Sequence, residues 1–518
     1  MFFNSYLFIF IFLPITFLGY HLISQLRCHH LTVWWLVGAS LLFFGWYNPA
    51  YLYLLTCSIL VNFALGKILA NRLYIKHQKA ILILGIGVNL VLLGYFKYAN
   101  FFINNVNTVF DSDLHINMVI LPLGISFWTL QQVAYLVDAY RGKIDKHSFI
   151  DYCLFVSFFP KLISGPILRF NETIPQLTKD NATYISSENI AVGLSFFFIG
   201  LFKKVILADG IAEYATSVFD AAVLGTTLTF FEAWIGALAY TFQLYFDFSG
   251  YCDMAIGLGL IFGIRLPLNF YSPYKAVSII DFWRRWHITL SNFLRDYLYI
   301  PLGGNRKGPT RQCINLMIVM AIAGLWHGAG WTFVIWGSLH GFYLTLNHTW
   351  QRFLQKAWRS PKKDNWWSKR VSILITFVAV TIAWVFFRAE NLSAAIGVLE
   401  GLVGLNGFVL PIFPETLKSI EHLLEHLGIT FASQPFAMHI GIGWILISLA
   451  ICWLLPNTQQ YMGNYQAALD GFYRKIELSS RQWLRWKPSF LNAVVVAAIA
   501  VFAVLGLNRA SEFLYFRF

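Results

Sequence analysis

Long, nearly uncharged apolar runs recur along this chain of 518 residues, and about ten of them approach the length of a membrane-spanning helix. The hydrocarbon core of a bilayer requires roughly 20 consecutive, mostly apolar residues in such a helix. Only 12% of the residues are charged, which is about half the share found in water-soluble domains. The sequence therefore predicts an all-α, polytopic membrane protein.

The loops between the apolar runs alternate between basic and non-basic. The first five runs cover about 4–23, 32–47, 51–70, 80–98 and 118–137. Basic loops follow the third and fifth runs and contain Arg72, Lys76, Lys79, Arg141, Lys143 and Lys146. The loop at 48–49 and the stretch at 100–117 contain no Lys or Arg. Because basic loops stay in the cytoplasm, we expect the N-terminus to lie outside it, on a retained first helix rather than a cleaved signal peptide.

The C-terminal part follows the same charge rule. Residues 351–370 and 456–488 are rich in Lys and Arg and are predicted to be cytoplasmic. The segment from about 388 to 437 is then external, with an interfacial helix near 393–405. Runs at 371–387, 438–455 and 490–507 are predicted to span the membrane and to leave the C-terminus outside.

The net charge of +13 is explained by these loops, so no nucleic-acid partner is expected. The six cysteines form no C-x-x-C pair and are typical of small buried hydrophobes rather than of a disulfide frame or a metal site. No metal cofactor is expected, and membrane lipids are the surrounding partner.

Two stretches in the middle of the chain, at about 156–175 and 243–310, are interrupted by charged and turn residues. Such backbone is tolerated at membrane depth only where protein or a water-filled cavity surrounds it, so these stretches are expected to line a cavity. Asp247 and Asp253 fit either an ion site or the brace of a helix break. We find no fixed-period repeat and predict one membrane domain over residues 1–518, with its core motifs within 156–345.

The stretch Asp281–Tyr299, if helical, places His287 among aromatic residues on one face. Pattern alone favours an amphipathic helix in which the imidazole of His287 only makes a hydrogen bond, and a functional role is the alternative. It is too polar to span the membrane and is expected to lie in an interface or to line a funnel. The turn-rich loop Pro301–Gly308 follows. Its Arg306 and Lys307 are candidates for holding the phosphates of a donor, and we assign Arg284 and Arg285 to the same role.

The stretch Ala321–Gly341 contains His327 and His340 in a strongly apolar, aromatic setting. A neutral imidazole is the form that a general base needs, and Gly328 and Gly330 allow close approach of a substrate or a helix break. Packing across a helix interface is the alternative for His327, and pattern alone leaves the two open. For His340 packing is favoured, since a continuous helix would separate the two rings by about 20 Å.

Four runs resemble the membrane-bound O-acyltransferase family and, within it, the alginate O-acetylase group. They are FFPKLISGPILRF from Phe158, QLYFDFSGYCDMAIG from Gln243, DFWRRWHITLSNFLRDYLYIPLGGNR from Asp281 and LWHGAGWTFVIWGSLHG from Leu325. The resemblance implies a ring of about 10–12 transmembrane helices around tilted or re-entrant central helices that line a tunnel. It also implies that His327 is the essential catalytic residue and that His287 is a second active-site position.

The resemblance further implies a multi-pass protein of the bacterial inner membrane. Acetyl-CoA enters from the cytoplasm, and the acetyl group passes outward to an exported polysaccharide such as alginate or to a periplasmic partner protein. His327 is expected to act as general base, with His287 stabilising the oxyanion or orienting the acceptor. A transporter or glycan exporter without acyl chemistry and a scaffold for secreted enzymes are the alternatives.

Overall fold

The computed structural model describes most of the chain. The described residues are 1–26, 28–71, 76–116, 119–177, 186–357, 365–412, 418–426, 428–432, 438–469, 482–509, 511 and 513–514. Several basic residues used above to predict orientation lie outside these ranges: Arg72, Arg359, Lys362, Lys363, Arg474, Lys475 and Arg481.

The described residues of the N-terminal part form the helices α1 (Leu13–Gln25), α2 (His29–Gly45), α3 (Pro49–Ala70), α4 (Gln78–Leu93), α5 (Ala99–Phe110) and α6 (Ile125–Tyr140). Wider π-helical turns at Phe8–Phe12 and Gly94–Tyr98 precede α1 and follow α4. The fifth predicted span begins later than its apolar run because Gly124 adopts a left-handed conformation, with φ of 67°, before α6 starts.

In the middle of the chain, the part that the structure describes contains the helices α7 (Phe149–Ser157), α8 (Phe159–Leu162), α9 (Phe170–Leu177), α10 (Ser187–Phe202), α11 (Asp209–Val223), α12 (Phe230–Ile261), α13 (Ile279–Trp283), α14 (Ile288–Leu294), α15 (Pro309–His327) and α16 (Trp331–Ala357). A π-helical segment, Lys203–Ala208, joins α10 to α11, and another, Arg295–Tyr299, extends α14.

The C-terminal part adds α17 (Trp366–Arg388), α18 (Leu392–Leu402), α19 (Lys418–Glu425), α20 (Met438–Leu454), α21 (Thr458–Tyr461) and α22 (Phe490–Leu505). Two short parallel strands, β1 (Val409–Pro411) and β2 (Thr430–Ala432), pair in the segment predicted to be external. The helix α18 corresponds to the helix predicted near 393–405.

Among the described residues, six helical stretches are long and apolar enough to cross a membrane: Phe8–Gln25, Pro49–Ala70, Gln78–Phe110, Ser187–Val223, Trp366–Arg388 and Phe490–Asn508. Shorter apolar helices cover His30–Gly45, Leu392–Leu402 and Met438–Leu454. The all-α, polytopic membrane fold predicted from the sequence is confirmed.

The long helix α12 is buried along most of its length and packs against α10 through glycines. A Cβ added at Gly200 on α10 would lie 2.5 Å from the carbonyl oxygen of Gly250 on α12, and one at Gly257 would lie 2.3 Å from that of Gly193. Small residues of this kind let helix backbones approach closely in a membrane. The contact therefore fixes α12 as the central helix against which the site is built.

Candidate active site

A sharp break in the chain sets the position of His327. The helix α15 ends at His327, Gly328 is extended, and α16 begins at Trp331 and returns against α15. The two helices pack closely, since a Cβ at Gly324 would lie 2.1 Å from the carbonyl oxygen of Phe333. The continuous helix that would have placed His327 and His340 about 20 Å apart is not formed.

The imidazole of His327 lies in an aromatic enclosure. The residue is 3% exposed. Its ring centroid is 4.8 Å from that of Trp326, 5.1 Å from Trp336 and 5.2 Å from Phe387, all in edge-to-face or near-perpendicular contacts. These contacts restrict the ring to a narrow range of orientations, as a catalytic base requires.

Lys97, in the π-helical turn after α4, binds the end of α15 that carries His327. Its Nζ donates to the carbonyl oxygens of Trp326 at 2.6 Å and His327 at 2.9 Å, and to Oγ of Ser126 at 3.2 Å. The last carbonyls of a helix lack intrahelical partners and carry partial negative charge. The Nζ group of Lys97 gives these carbonyls hydrogen-bond donors and balances their partial negative charge. The sequence patterns did not predict this role for Lys97.

Two further hydrogen bonds hold the same helix end. The hydroxyl of Tyr98 donates to the carbonyl oxygen of Leu325 at 2.7 Å, and Nε1 of Trp326 donates to that of Ser126 at 3.3 Å. With Lys97, these contacts tie α15 to the segment between α4 and α6. The position of His327 is therefore fixed by side chains far away in the sequence.

His287 approaches His327 from a second broken element. The stretch Asp281–Tyr299 is not one helix, because the chain leaves helical geometry between α13 and α14. His287 occupies the left-handed region, with φ of 43° and ψ of 53°, and is fully buried. The break turns its ring toward the end of α15 rather than along a helix face.

The imidazole rings of His287 and His327 lie close together. The ring centroids of His287 and His327 are 6.3 Å apart, with an angle of 59° between their planes. This separation is longer than a direct hydrogen bond between ring nitrogens allows. The two rings are therefore neighbours without a direct hydrogen bond between their nitrogens.

A cleft open to the surface reaches His327. Its walls come from the end of α2, the π-helical turn after α4, the segment before and into α6, and the end of α15. The lining residues are Tyr47, Lys97, Leu121, Pro122, Leu123, Gly124, Ile125, Ser126, Phe127, Ile163, Trp326 and His327. The cleft gives a substrate access to the imidazole that the aromatic enclosure otherwise covers.

His340 lies deeper, on α16, and is fully buried. Its Nδ1 accepts a hydrogen bond from Nε1 of Trp283 at 3.3 Å, and its ring packs 4.9 Å from that of Trp336. His327 and His340 both contact the indole of Trp336. The cleft is not lined by His340, and its contacts fit the packing role that the sequence analysis favoured.

The four candidate residues for donor phosphates are in different environments. Arg306 and Lys307 are exposed in the turn before α15, and Arg284 is exposed after α13. Arg285 is half-buried, with its Nε 2.9 Å from a carboxylate oxygen of Asp281. Arg306, Lys307 and Arg284 are thus accessible to a phosphate from outside the protein. Arg285 instead forms an ion pair with Asp281.

A second basic cluster, which the sequence analysis did not single out, surrounds Tyr297 beyond α14. The guanidinium groups of Arg141 and Arg169 lie 5.5 and 5.6 Å from the centre of its ring, while its hydroxyl donates to Asp138 at 2.6 Å. Arg169 also pairs with Asp296. These contacts join the end of α6, the start of α9 and the π-helical segment that extends α14.

Asp247 and Asp253 are braced by lysines within the helix bundle. Nζ of Lys204 lies 2.7 Å from Asp247 and 2.9 Å from Asp209, and Nζ of Lys203 lies 2.6 Å from Asp253. The two carboxylates lie within the uninterrupted helix α12, so the predicted helix break between them is wrong. A buried charge requires such a partner, and the pairs fix α12 against α10 and α11.

Comparison with known proteins places this arrangement among acyl-transferring membrane proteins. The model of the MBOAT, or membrane-bound O-acyltransferase, family matches residues 12–388. The peptidoglycan O-acetyltransferase of Helicobacter pylori is 42% identical, and the match covers 100% of this chain and 97% of that protein.

Two other relatives match a smaller part of the chain. A probable alginate O-acetylase, AlgI, of Pseudomonas putida is 44% identical over 76% of this chain and 79% of its own length. The teichoic acid D-alanyltransferase of Streptococcus thermophilus is 29% identical over 51% of this chain and 68% of its own length. The names of these relatives share the transfer of an acyl group to a cell-surface polymer.

Proposed function

This chain belongs to the membrane-bound O-acyltransferase family, and from that premise we propose that it moves an acetyl group from cytoplasmic acetyl-CoA across the bacterial inner membrane to a hydroxyl of an exported polymer. Family membership makes the chain an acyltransferase. It disfavours the alternatives of a transporter without acyl chemistry and of a passive scaffold. The donor, the direction of transfer and the acceptor are the parts that we propose.

The observation that carries the proposal is the imidazole of His327, buried at the end of a broken helix and reached by a cleft. A base of this kind must lie within hydrogen-bond reach of the hydroxyl that it deprotonates. We propose that this hydroxyl lies beside the rings of His287 and His327, whose centroids are 6.3 Å apart. A site with a base, an access route and little surrounding water suits acyl transfer.

The reaction then runs as follows. His327 takes the proton of the acceptor hydroxyl while its oxygen forms a bond to the carbonyl carbon of the thioester. The tetrahedral intermediate collapses, the C–S bond breaks, and the imidazolium returns its proton to the thiolate. The products are an O-acetyl ester and the CoA thiol. General-base assistance of this kind contributes about 10²–10⁴-fold to the rate.

The donor is proposed to enter from the side of the basic turn. Arg306 and Lys307 lie just before α15, whose 19 residues end at His327. Because an α-helix rises 1.5 Å per residue, the turn that contains Arg306 and Lys307 is about 28 Å from His327. Phosphates held at the turn would direct the thioester inward along α15. The cleft at Tyr47 and Leu121 reaches His327 from the other end and is proposed to serve the acceptor.

For the acceptor we propose a hydroxyl of peptidoglycan. The relative that matches this chain over its full length is named a peptidoglycan O-acetyltransferase, whereas the alginate O-acetylase matches about three quarters of it. Alginate, or an exported partner protein that passes the acetyl group on, is the second candidate. The alginate O-acetylase of Pseudomonas putida, which matches 76% of this chain, supports alginate as the second candidate.

Mass spectrometry of surface polymers from cells with and without the gene tests the acceptor. We expect O-acetylated muropeptides to disappear when the gene is deleted and to return on complementation. Feeding permeabilised cells with acetyl-CoA labelled in the acetyl group should place the label in the same muropeptides. Unchanged peptidoglycan acetylation, with loss of acetyl groups from another exported glycan, would contradict the proposed acceptor.

A further inference from the structure

Asn269 is the fully buried residue that holds the strained turn at His287. Its carbonyl oxygen accepts from the backbone N–H of Ile288 at 3.0 Å, and the backbone N–H of Tyr271 donates to the carbonyl oxygen of Arg285 at 2.9 Å. A left-handed conformation is unfavourable for a residue other than glycine. The two backbone hydrogen bonds on either side of His287 stabilise that conformation.

The side-chain amide of Asn269 has a defined orientation. Its Oδ1 accepts from the backbone N–H of Thr289 at 3.2 Å and from the Thr289 hydroxyl at 3.0 Å. Its Nδ2 donates to Sγ of Cys252 at 3.4 Å. A backbone N–H can only donate, so the amide oxygen rather than the amide nitrogen must face Thr289.

The same oxygen lies 3.2 Å from Nδ1 of His287. An amide oxygen has no hydrogen to donate, and an unprotonated Nδ1 at this distance would place two lone pairs against each other. Nδ1 must therefore carry a hydrogen and donate it to Asn269. In a neutral imidazole with hydrogen on Nδ1, the other nitrogen, Nε2, carries a lone pair and accepts hydrogen bonds.

We propose that Asn269 is a positioning residue that holds His287 in the Nδ1–H tautomer, so that Nε2 is a hydrogen-bond acceptor toward the substrate hydroxyls. This inference rests on the proposed function, since the ring of His287 faces that of His327 at 6.3 Å. It assigns His287 to orienting the acceptor and not to donating to an oxyanion. A substrate with several hydroxyls, as sugars have, offers one to His327 and a second to His287.

Solid-state NMR of ¹⁵N-histidine-labelled protein in liposomes tests the tautomer directly, because the two nitrogens of each tautomer give distinct signals. The His287 signals are identified by their loss in His287→Asn. We expect the wild-type protein to show the Nδ1–H tautomer at His287. The Nε2–H tautomer in the wild-type protein would overturn the inference without any variant of Asn269.

The substitution Asn269→Leu tests the role of Asn269 itself. We expect a shift of His287 toward the Nε2–H tautomer and a fall in kcat of about 10–100-fold, as for other residues that orient a functional imidazole. Cys252→Ala is the matched control, since it removes the partner of the Asn269 Nδ2 but leaves the Asn269 Oδ1 in place. In this variant His287 should keep the tautomer that it has in the wild-type protein. An unchanged tautomer in Asn269→Leu would overturn the inference.

The spectroscopic result separates this inference from the proposed function. If acetyl transfer proved independent of His327, the proposed function would fail while the tautomer of His287 could still be read from the spectrum. If transfer depended on His327 but His287 carried its hydrogen on Nε2, the inference about Asn269 alone would fail.

Discussion

Lys97 places a positive charge at the carboxyl end of α15, next to the proposed base. All three hydrogens of its ammonium group have acceptors: the carbonyl oxygens of Trp326 and His327 and the hydroxyl of Ser126. Removing the charge would leave two buried carbonyls without donors and loosen the helix end. Lys97 is therefore a positioning residue for His327.

The substitution Lys97→Met keeps the bulk of the side chain and removes these donors. We expect kcat to fall by about 10²-fold, the cost of a small misplacement of a catalytic group, with little change in KM for the donor. Steady-state kinetics of the purified protein measure kcat and KM separately. Lys67→Met is the matched control, because Lys67 also donates to a carbonyl, that of His147, but is exposed to solvent. Wild-type kcat in Lys97→Met would contradict this role.

The sequence patterns predicted His327 and His287 as site residues, but they did not predict the side chains that hold these two residues in place. Lys97 was not among the predicted site residues, because its carbonyl partners are about 230 positions away along the chain. Asn269 has no local pattern that links it to His287. Contacts of this range depend on how the helices pack and cannot be deduced from hydropathy or spacing.

The helix pair α15 and α16 brings the base to the end of a helix, and glycines make the pair possible. A Cβ at Gly324 would lie 2.1 Å from the carbonyl oxygen of Phe333, and one at Gly337 would lie 2.2 Å from that of Met320. Backbone oxygens cannot move aside as a flexible side chain can. Any larger residue at these positions would separate the two helices.

We therefore expect Gly324→Ala to destabilise the protein by about 1–3 kcal/mol, the usual cost of overpacking, and to lower activity as well. Thermal unfolding in detergent and acetyl transfer measure the two effects. Gly87→Ala on α4 is the control, since a Cβ there meets no atom within 4 Å, and it should change neither property. Equal melting temperatures for Gly324→Ala and Gly87→Ala would contradict the packing argument.

Elements differ in how well their sequence predicts them. The apolar runs at 4–23, 51–70 and 80–98 correspond closely to helices, because in a membrane length and hydropathy decide whether a helix forms. The central elements do not follow local periodicity. The stretch Asp281–Tyr299 breaks at His287, and α12 continues through Asp247 and Asp253, since ion pairs and distant hydrogen bonds outweigh local propensity there.

On the scale of the whole molecule, the proposed direction of transfer depends on orientation. The basic turn at Arg306 is predicted to be cytoplasmic, and the segment that contains Leu405 is predicted to be external. Arg306 and Leu405 are both exposed. Their accessibility from the two sides of the membrane therefore tests the orientation.

In a variant without native cysteines, Leu405→Cys should react with a membrane-impermeant maleimide added to spheroplasts. Arg306→Cys should react only after the membrane is permeabilised, because a basic turn stays on the cytoplasmic side. Mass-shift labelling on gels gives the fraction modified. The reverse pattern would place the donor site outside the cell and contradict the proposed route of acetyl-CoA.

The central claim is that His327 is the base of an acetyl transfer, and one comparison tests it most directly. Purified wild-type protein, His327→Ala and His422→Ala are given acetyl-CoA labelled in the acetyl group together with a muropeptide acceptor, and label in the O-acetyl ester is counted. His422 is the control because its side chain is 75% exposed on α19. We predict a loss of transfer of at least about 10²-fold in His327→Ala, although that protein still folds, and wild-type transfer in His422→Ala. Wild-type transfer by a folded His327→Ala protein would contradict the account.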